Sequence, residues 1–302
     1  MNLSGTVVPM ATPVHGNRGA VDIDALETFT RRLVDAGVHG LFPGSSIGEF
    51  PSLTTEQNRK VVETVADVAG DDVTVMAGCC DTDVETVVEN IAAADQAGAD
   101  AGVVVSPYYL GTTQPGLGRF FRSVADQSSL PLLLYNIPQL TGNPLSVDLV
   151  TELAEHSAIV GLKDTSGDLN YHYRAIEETP DDFAVFQGAT ELASASLDVG
   201  TDGLIAGPAN VFPAEMAALY EAHDRGDLAR VRELMETVVA PFVTATSDIP
   251  TAAAMKHVLE LDGLDVGGPL PPLPELTNAE RETLAEAYGA VGAAIDEPTV
   301  ER

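Results

Sequence analysis

The chain has 302 residues, of which 45% are hydrophobic and 20% charged, a composition typical of a globular protein. Lysine and arginine together number 15, aspartate and glutamate 46, so the formal net charge is −31. This charge opposes binding to nucleic acid and to anionic membranes, because both favour a basic surface. The sequence has neither an apolar run long enough to span a bilayer nor the basic start of a secretory signal, so we expect a cytoplasmic protein.

The acidic residues are distributed along the whole chain, and lysine occurs three times, at Lys60, Lys163 and Lys256. An acidic, lysine-poor surface suits a cytoplasm with molar salt, because screening there weakens the repulsion between like charges. We therefore expect a halophilic protein. The alternative is an ordinary acidic cytosolic protein.

Short apolar runs alternate with helix-like segments over the first 224 residues. Strands are predicted at 5–10, 40–44, 73–78, 101–107, 131–136, 159–164, 183–188 and 202–207. Helices are predicted at 22–36, 54–69, 82–97, 115–127, 146–155, 169–179, 190–199 and 213–224. Nearly continuous apolar strands are typical of a parallel sheet that is covered on both faces. Eight such βα units predict an α/β protein with a (β/α)₈ TIM barrel.

The remaining chain is predicted to be helical, at 227–246, 250–261 and 277–294, with a Gly- and Pro-rich loop over Gly263–Pro274. We predict a catalytic barrel over residues 1–224 and a C-terminal helical extension over residues 225–302.

The two cysteines, Cys79 and Cys80, are adjacent in the sequence. Neighbouring residues on a strand point to opposite faces, so we expect two buried thiols rather than a disulfide. Neither the cysteines nor the six scattered histidines have the spacing of a zinc site. The sequence therefore predicts no metal and no organic cofactor.

Lys163 ends an apolar strand, and the active site of such a barrel lies where its strands end. Alternation places Gly161 on the same face, where it would leave room for the lysine side chain. A buried ammonium is costly to desolvate, whereas a buried amine is suited to attack a carbonyl. We therefore predict that Lys163 is a nucleophile. The alternative is a lysine that extends to the surface and pairs with a carboxylate.

Tyr135 ends the preceding strand, where its phenol could relay a proton. It could also be an aromatic residue whose hydroxyl contacts water.

The segment 44–48 matches the G-x-S-x-G motif of serine hydrolases. That motif requires a helix directly after the serine, whereas residues 49–53 come before the predicted helix here, so a hydrolase is disfavoured.

Three segments resemble motifs of the dihydrodipicolinate synthase/N-acetylneuraminate lyase superfamily of class I, lysine-dependent aldolases. They are Ser46-Ile47-Gly48-Glu49, Tyr135-Asn136-Ile137-Pro138 with Thr141-Gly142 following, and Gly161-Leu162-Lys163-Asp164-Thr165-Ser166-Gly167-Asp168. They occur in the family's order, each at a strand end, and the resemblance covers essentially the whole chain. Within the family, the chain resembles haloarchaeal 2-keto-3-deoxygluconate aldolases.

The resemblance implies that Lys163 condenses with the keto group of a 2-oxo acid to form an imine. Tyr135 would then relay the proton as the bond between C3 and C4 breaks or forms, and Ser46 would link Tyr135 to solvent or to a further tyrosine. Tyr109 matches a tyrosine that members often lend across a subunit interface. The implied partners are a small 2-oxo acid and an aldehyde, and the implied assembly is a homo-oligomer, a tetramer.

The resemblance also implies a set of substrate-binding residues. Backbone N–H groups of the loop at Ser46 and Ile47 would hold the carboxylate of the 2-oxo acid. The family has glycine in place of Ser45 and a hydroxyl residue in place of Ile47. The implied substrate-binding positions are Ser45, Ile47, Tyr109, Thr165, Gly188, Thr190, Glu191 and Ile205, with Ser166 near the aldehyde end.

Leu140 indicates which substrate is used. In the lysine-biosynthesis branch, the corresponding residue is an arginine that binds a substrate carboxylate, and leucine offers no donor. We therefore predict cleavage of 2-keto-3-deoxygluconate, with or without a phosphate, to pyruvate and glyceraldehyde. The alternatives are 4-hydroxy-tetrahydrodipicolinate synthase, N-acetylneuraminate lyase, which tolerates leucine here, a sugar-acid dehydratase and a non-catalytic regulator.

Overall fold

A closed barrel of eight parallel strands, arranged in chain order, forms the centre of the computed structural model, which describes residues 3–16 and 19–296. The strands are β1 (Gly5–Pro9), β2 (Gly40–Phe42), β3 (Thr74–Gly78), β4 (Ala101–Val105), β5 (Leu132–Asn136), β6 (Ile159–Asp164), β7 (Ala184–Gln187) and β8 (Gly203–Ile205). Pairing of β1 with β8, with Val7 opposite Ile205, closes the barrel. The predicted TIM barrel is confirmed, and each strand lies at its predicted position.

Helices follow the strands and cover the outside of the barrel. They are α1 (Ile23–Asp35), α2 (Thr55–Ala69), α3 (Val84–Gln96), α4 (Gln114–Ala125), α5 (Pro138–Thr141), α6 (Val147–Ala154), α7 (Leu169–Glu178), α8 (Ala193–Asp198) and α9 (Pro213–Asp224). Helix α5 was not predicted, because its single turn is too short to show a helical period. Short 3₁₀ turns lie at Phe50–Ser52, Gly70–Asp72, Thr190–Leu192 and Gly207–Asn210. No membrane-length apolar helix occurs among the described residues.

The C-terminal extension forms helices that pack on the barrel. They are α10 (Leu228–Leu234), a π-helical turn (Met235–Val239), α11 (Ala240–Thr246), α12 (Thr251–Leu261) and α13 (Asn278–Asp296). The aromatic ring of Phe212, which precedes α9, contacts the rings of Phe242 and Tyr288 in this extension. Residues 297–302 of the predicted extension lie outside the described part, and a domain boundary at residue 224 stays a prediction.

The loop between α12 and α13 lies against the end of the barrel where the strands finish. The Val14 N–H, after β1, donates to the Val266 carbonyl at 3.0 Å, and the Ser52 hydroxyl, after β2, donates to the Pro271 carbonyl at 3.0 Å. The extension is therefore in direct contact with the loops that carry the predicted site.

Two apolar layers hold the barrel together. The inner layer fills the barrel with side chains such as Phe42, Tyr135 and Phe186, and the larger outer layer lies between the strands and the helices. Cys79 belongs to the outer layer and Cys80 to the inner layer, and both are free thiols. The prediction that the two cysteines point to opposite faces without a disulfide is confirmed.

Candidate active site

Lys163 and Tyr135 are paired residues on the adjacent strands β6 and β5, at the end of the barrel where both strands finish. Their side chains are only 4% and 3% exposed. The Lys163 Nζ atom lies 4.0 Å from the centre of the Tyr135 ring and 5.0 Å from the centre of the Phe42 ring. The lysine therefore ends in an aromatic pocket inside the barrel. Phe42 was not predicted as a site residue, because its only sequence signal is its place at the end of β2.

The charge environment of Lys163 differs from that of the other two lysines. Lys60 pairs with Glu63 on the surface, and Lys256 pairs with Glu49 in the interior. Lys163 forms no ion pair with any residue that the structure describes. A buried ammonium without a counter-ion is costly, so this environment suits a lysine that acts as an amine.

The space for the Lys163 side chain comes from Gly188, the residue after β7. A Cβ atom at this position would overlap the Thr165 hydroxyl and lie 3.1 Å from Lys163 Cε. The expectation that Gly161 makes this room is wrong. A Cβ at Gly161 would instead lie 2.6 Å from the Ala184 carbonyl oxygen of the paired strand β7, so this glycine allows the strands to pair closely.

The loop that follows β2 is shaped by its own side chains. The buried Ser45 hydroxyl donates to the Met10 carbonyl at 3.3 Å and accepts from the Gly48 N–H at 3.1 Å. Glu49 closes the loop in the left-handed conformation, with φ of 57°, and its N–H donates to the Ser46 carbonyl at 3.1 Å. The helix α2 starts only at Thr55, so the loop lacks the direct serine-to-helix turn of a hydrolase.

The N–H groups of Ser46 and Ile47 form no hydrogen bond to the described residues, unlike those that follow them. Those of Gly48 and Glu49 donate within the loop. The Ser46 side chain is partly exposed. The Ile47 side chain packs toward Gly207, where its Cδ1 would lie 3.2 Å from an added Cβ atom. Adjacent free N–H groups of this kind are suited to hold an anion.

A buried ion pair holds this loop against the C-terminal extension. The Glu49 carboxylate accepts from the Leu270 N–H at 2.6 Å and pairs with the ammonium of Lys256, which donates to the Gly268 carbonyl at 3.0 Å. Burial lowers the pKa of Lys256, and the charge of Glu49 opposes this effect. This pair was not predicted, because the two residues are far apart in the chain.

The other predicted binding residues are distributed around the same end of the barrel. Thr165 has a buried hydroxyl that forms no hydrogen bond to the described residues. Ile205 is buried at the end of β8, and the 3₁₀ turn after β7 carries the buried Thr190 and the exposed Glu191. Ser166 is less available than expected, because its hydroxyl donates to the Asp164 carboxylate at 3.1 Å.

Tyr109 is not brought into the pocket of its own chain. Its side chain is 93% exposed, and its backbone has a left-handed φ of 74°. The Asn143 amide fixes the surrounding loop, since it donates to the carbonyls of Pro107 and Leu110 at 2.7 and 2.9 Å. The loop therefore presents a strained, ordered tyrosine to solvent.

The pocket also contains a thiol, Cys80, which lies in the inner layer with Tyr135. Burial raises the pKa of Cys80 to about 12. The residue is therefore a neutral thiol near neutral pH and a poor nucleophile. Within residues 3–16 and 19–296, no group of three or more His, Cys, Asp or Glu side chains is placed to hold a metal ion.

Comparison with known proteins identifies the family. The model of the dihydrodipicolinate synthetase family matches residues 2–290. The chain belongs to this family. It is 36% identical to a 4-hydroxy-tetrahydrodipicolinate synthase of Methanopyrus kandleri, over 96% of this chain and 97% of that protein. It is also 36% identical to an uncharacterized DapA-like lyase of Halobacterium salinarum, over 97% and 95% of the two chains.

Solved structures of the dihydrodipicolinate synthetase family have the same fold. YagE of Escherichia coli K12, crystallised with pyruvate, superposes with a TM-score of 0.92 at 30% identity, over 97% of this chain and 99% of that chain. Dihydrodipicolinate synthase DapA-2 of Bacillus anthracis has a TM-score of 0.90 at 31% identity, over 95% and 97% of the two chains. The protein is therefore a carbon–carbon lyase of the class I aldolase type, as predicted.

Proposed function

We propose that this aldolase cleaves 2-keto-3-deoxygluconate-type sugar acids reversibly to pyruvate and glyceraldehyde, through an imine on Lys163. The observation that carries the proposal is the buried Lys163 amine, which lies 4.0 Å from the Tyr135 ring and lacks an ion-pair partner among the described residues. This arrangement provides a nucleophile and a proton-transfer group side by side.

The reaction starts when the Lys163 amine attacks the keto carbon, C2, and water leaves to give a protonated imine. Tyr135 passes its own proton through Ser46 to solvent and takes up the proton of the C4 hydroxyl. The C3–C4 bond then breaks, and its electrons move into the imine to form an enamine. The aldehyde leaves, C3 takes up a proton, and water hydrolyses the imine to release pyruvate and free Lys163. Ser46 connects Tyr135 to solvent in this scheme.

The carboxylate of the 2-oxo acid is held by the free N–H groups of Ser46 and Ile47. Ser45 supports them by fixing the loop, and Gly188 and Ile205 line the space for the three-carbon unit. Such backbone groups bind a carboxylate without a dedicated arginine.

Leu140 supports a sugar acid as the substrate. It lies on α5 next to the tyrosine motif, and its side chain is 65% exposed and apolar. A second substrate carboxylate would gain no hydrogen-bond donor from this side chain, whereas an arginine would offer two. The hydroxyls of Thr165 and Thr190 and the carboxylate of Glu191 are suited to bind sugar hydroxyls instead.

The substrate assignment is tested by kcat/KM for 2-keto-3-deoxygluconate, for N-acetylneuraminate and for condensation of pyruvate with aspartate semialdehyde. We expect a preference for the first substrate. The variant Leu140→Arg should gain activity with the semialdehyde, and Leu140→Met should remain like the wild type. A wild-type preference for the semialdehyde would contradict the assignment.

The second candidate is 4-hydroxy-tetrahydrodipicolinate synthase, the name carried by several relatives, including that of Methanopyrus kandleri. Both candidates begin with the same imine on Lys163 and differ in the aldehyde that reacts. N-acetylneuraminate lyase shares the chemistry and is covered by the same assay.

We also infer that Tyr109 completes the site of a neighbouring subunit in a homo-oligomer, with a tetramer as the expected assembly. A non-glycine residue with positive φ lowers the stability of the fold by ~1–3 kcal/mol. The exposed ring of Tyr109 makes no packing contact with the described residues of the isolated chain that would offset this cost. Light scattering with Tyr109→Phe and Tyr109→Ala tests the inference. The alanine variant should weaken the assembly, and a wild-type monomer with full activity would contradict it.

A further inference from the structure

A second buried charged cluster lies one residue along β6 from Lys163, on the other side of the sheet. Asp164 and His172, the latter on α7, are both completely buried. Asp164 Oδ1 accepts from the Asn136 amide and from the Ser166 N–H, each at 3.0 Å. His172 Nδ1 lies 3.4 Å from Asp164 Oδ2. The mechanism above uses neither side chain.

The hydrogen bonds of Thr201 determine which ring nitrogen of His172 carries a proton. The Thr201 hydroxyl has a single hydrogen, which it donates to the Val185 carbonyl at 2.7 Å. His172 Nε2 lies 3.0 Å from the same hydroxyl oxygen. Because this oxygen can now only accept, Nε2 must be the donor and must carry a hydrogen.

The other ring nitrogen, Nδ1, is buried and has no hydrogen-bond partner among the described residues. In a neutral ring this nitrogen would place a lone pair 3.4 Å from the Asp164 carboxylate. A second proton on the ring removes this repulsion and gives the buried carboxylate a counter-ion. Buried charges are normally paired in this way.

We propose that His172 is an imidazolium that neutralises Asp164 and so prevents an uncompensated negative charge from lying next to Lys163. Both are positioning residues, because they act on the lysine from behind the strand. An unpaired carboxylate there would stabilise the ammonium form of Lys163 and oppose attack on the keto group. The inference rests on the proposed role of Lys163.

The other ionisable groups near the pair are few. Asp202, before β8, accepts from the Val185 N–H at 2.7 Å, and burial raises its pKa. Burial and the charge of Asp164 raise the pKa of Tyr171, so that this phenol is neutral. On the surface, Asp148 of α6 pairs with Arg174 and Asp198 of α8 pairs with His223. On the side of Lys163, the nearby groups are Tyr135 and Cys80.

The test is the pH dependence of imine formation, measured by intact mass after incubation with pyruvate and cyanoborohydride. His172→Asn leaves the Asp164 carboxylate without a counter-ion, so the midpoint of the acid limb should rise by on the order of one pH unit. Asp164→Asn leaves an uncharged pair, because His172 then loses its extra proton, and the midpoint should not change. The double variant should also match the wild type.

Opposite results would overturn the proposal. If Asp164→Asn lowers the midpoint while His172→Asn leaves it unchanged, the Asp164 carboxylate of the wild type has no counter-ion and His172 is neutral. No shift in either variant would show that the pair has no influence on Lys163.

A measurement on the wild-type protein tests the proposal even if the variants do not fold. In wild-type protein labelled with ¹⁵N-histidine, both ring nitrogens of His172 should have protonated shifts at pH 7, and a deprotonated Nδ1 would contradict the proposal. This readout is independent of catalysis. Absence of any pyruvate adduct on wild-type Lys163 would refute the proposed function, while the histidine spectrum would still report on the ion pair.

Discussion

Two of the three lysines of this chain are buried to nearly the same extent, at 4% exposure for Lys163 and 1% for Lys256, yet their surroundings differ. Lys256 has a carboxylate partner, Glu49, and donates to the Gly268 carbonyl. Lys163 has the rings of Tyr135 and Phe42 and no ion pair within the described residues. Burial alone therefore does not mark a reactive lysine, and the missing counter-ion distinguishes the two.

The pair also shows how one chain uses the same side chain for two tasks. At Lys256 the charge is needed, because it ties the loop after β2 to the C-terminal extension. At Lys163 the amine is needed, and the protein supplies an apolar pocket with a phenol beside it. We therefore expect that neither lysine could take over the role of the other.

The largest expected effect follows from removal of the unpaired lysine. Lys163→Ala should reduce turnover by at least ~10⁴-fold, as for the loss of other nucleophiles, because no other described amine lies in the pocket. Stability should change little or improve, since a costly buried amine is lost. Steady-state assays and urea unfolding check both parts, and retention of activity would remove the distinction between the two lysines.

Tyr135→Phe should act on the same pocket more weakly. The ring that lies against Lys163 stays, but the proton relay is lost, so kcat should fall by ~10²–10⁴-fold. Trapping of the pyruvate imine should continue. If trapping is lost together with turnover, Tyr135 has a role in forming the imine that this scheme does not give it.

The paired lysine should show the converse pattern. Lys256→Met leaves the Glu49 carboxylate buried and unpaired, which should lower the free energy of unfolding by ~3–5 kcal/mol. The double variant Glu49→Leu with Lys256→Met should recover part of this loss. Folded Lys256→Met protein should still form the imine with pyruvate. An unchanged stability in urea would show that the ion pair does not hold the loop.

Salt should have the smallest effect and should not discriminate between the two lysines. With a net charge of −31, repulsion at the surface decreases as salt increases, so the Tm should rise between ~0.1 M and ~3 M KCl. The buried pair is shielded from ions, so Lys256→Met should show the same rise from a lower starting Tm. A flat or falling curve for the wild type would contradict the expected halophilic character.

The barrel could be predicted from the sequence because its signals are local. Each apolar strand and each glycine-marked return lies within a few residues, and Lys163, followed by Asp164, ends a strand that is otherwise apolar. The capping of α2 by Thr54 with Gln57 is likewise a contact between residues close together in the chain. Asp83 caps α3 in the same local way, by accepting from the Thr86 N–H.

Contacts between distant segments could not be predicted. Nothing near Glu49 in the sequence indicates Lys256, and the pairing of Asp164 with His172 depends on how α7 packs on β6. Gly161 and Gly188 were both seen as features of the site, but only the three-dimensional structure shows which of them makes room for the lysine. Local patterns predict elements, whereas the partner of a buried charge is determined by packing.

The most direct test of the account is reduction with borohydride in the presence of pyruvate, followed by peptide mapping. The three lysines lie on separate segments of the chain, so each site of labelling can be identified by mass. The account predicts a reduced pyruvyl group on the peptide that contains Lys163 and none on those with Lys60 or Lys256. A label on Lys60 or Lys256 alone would contradict it.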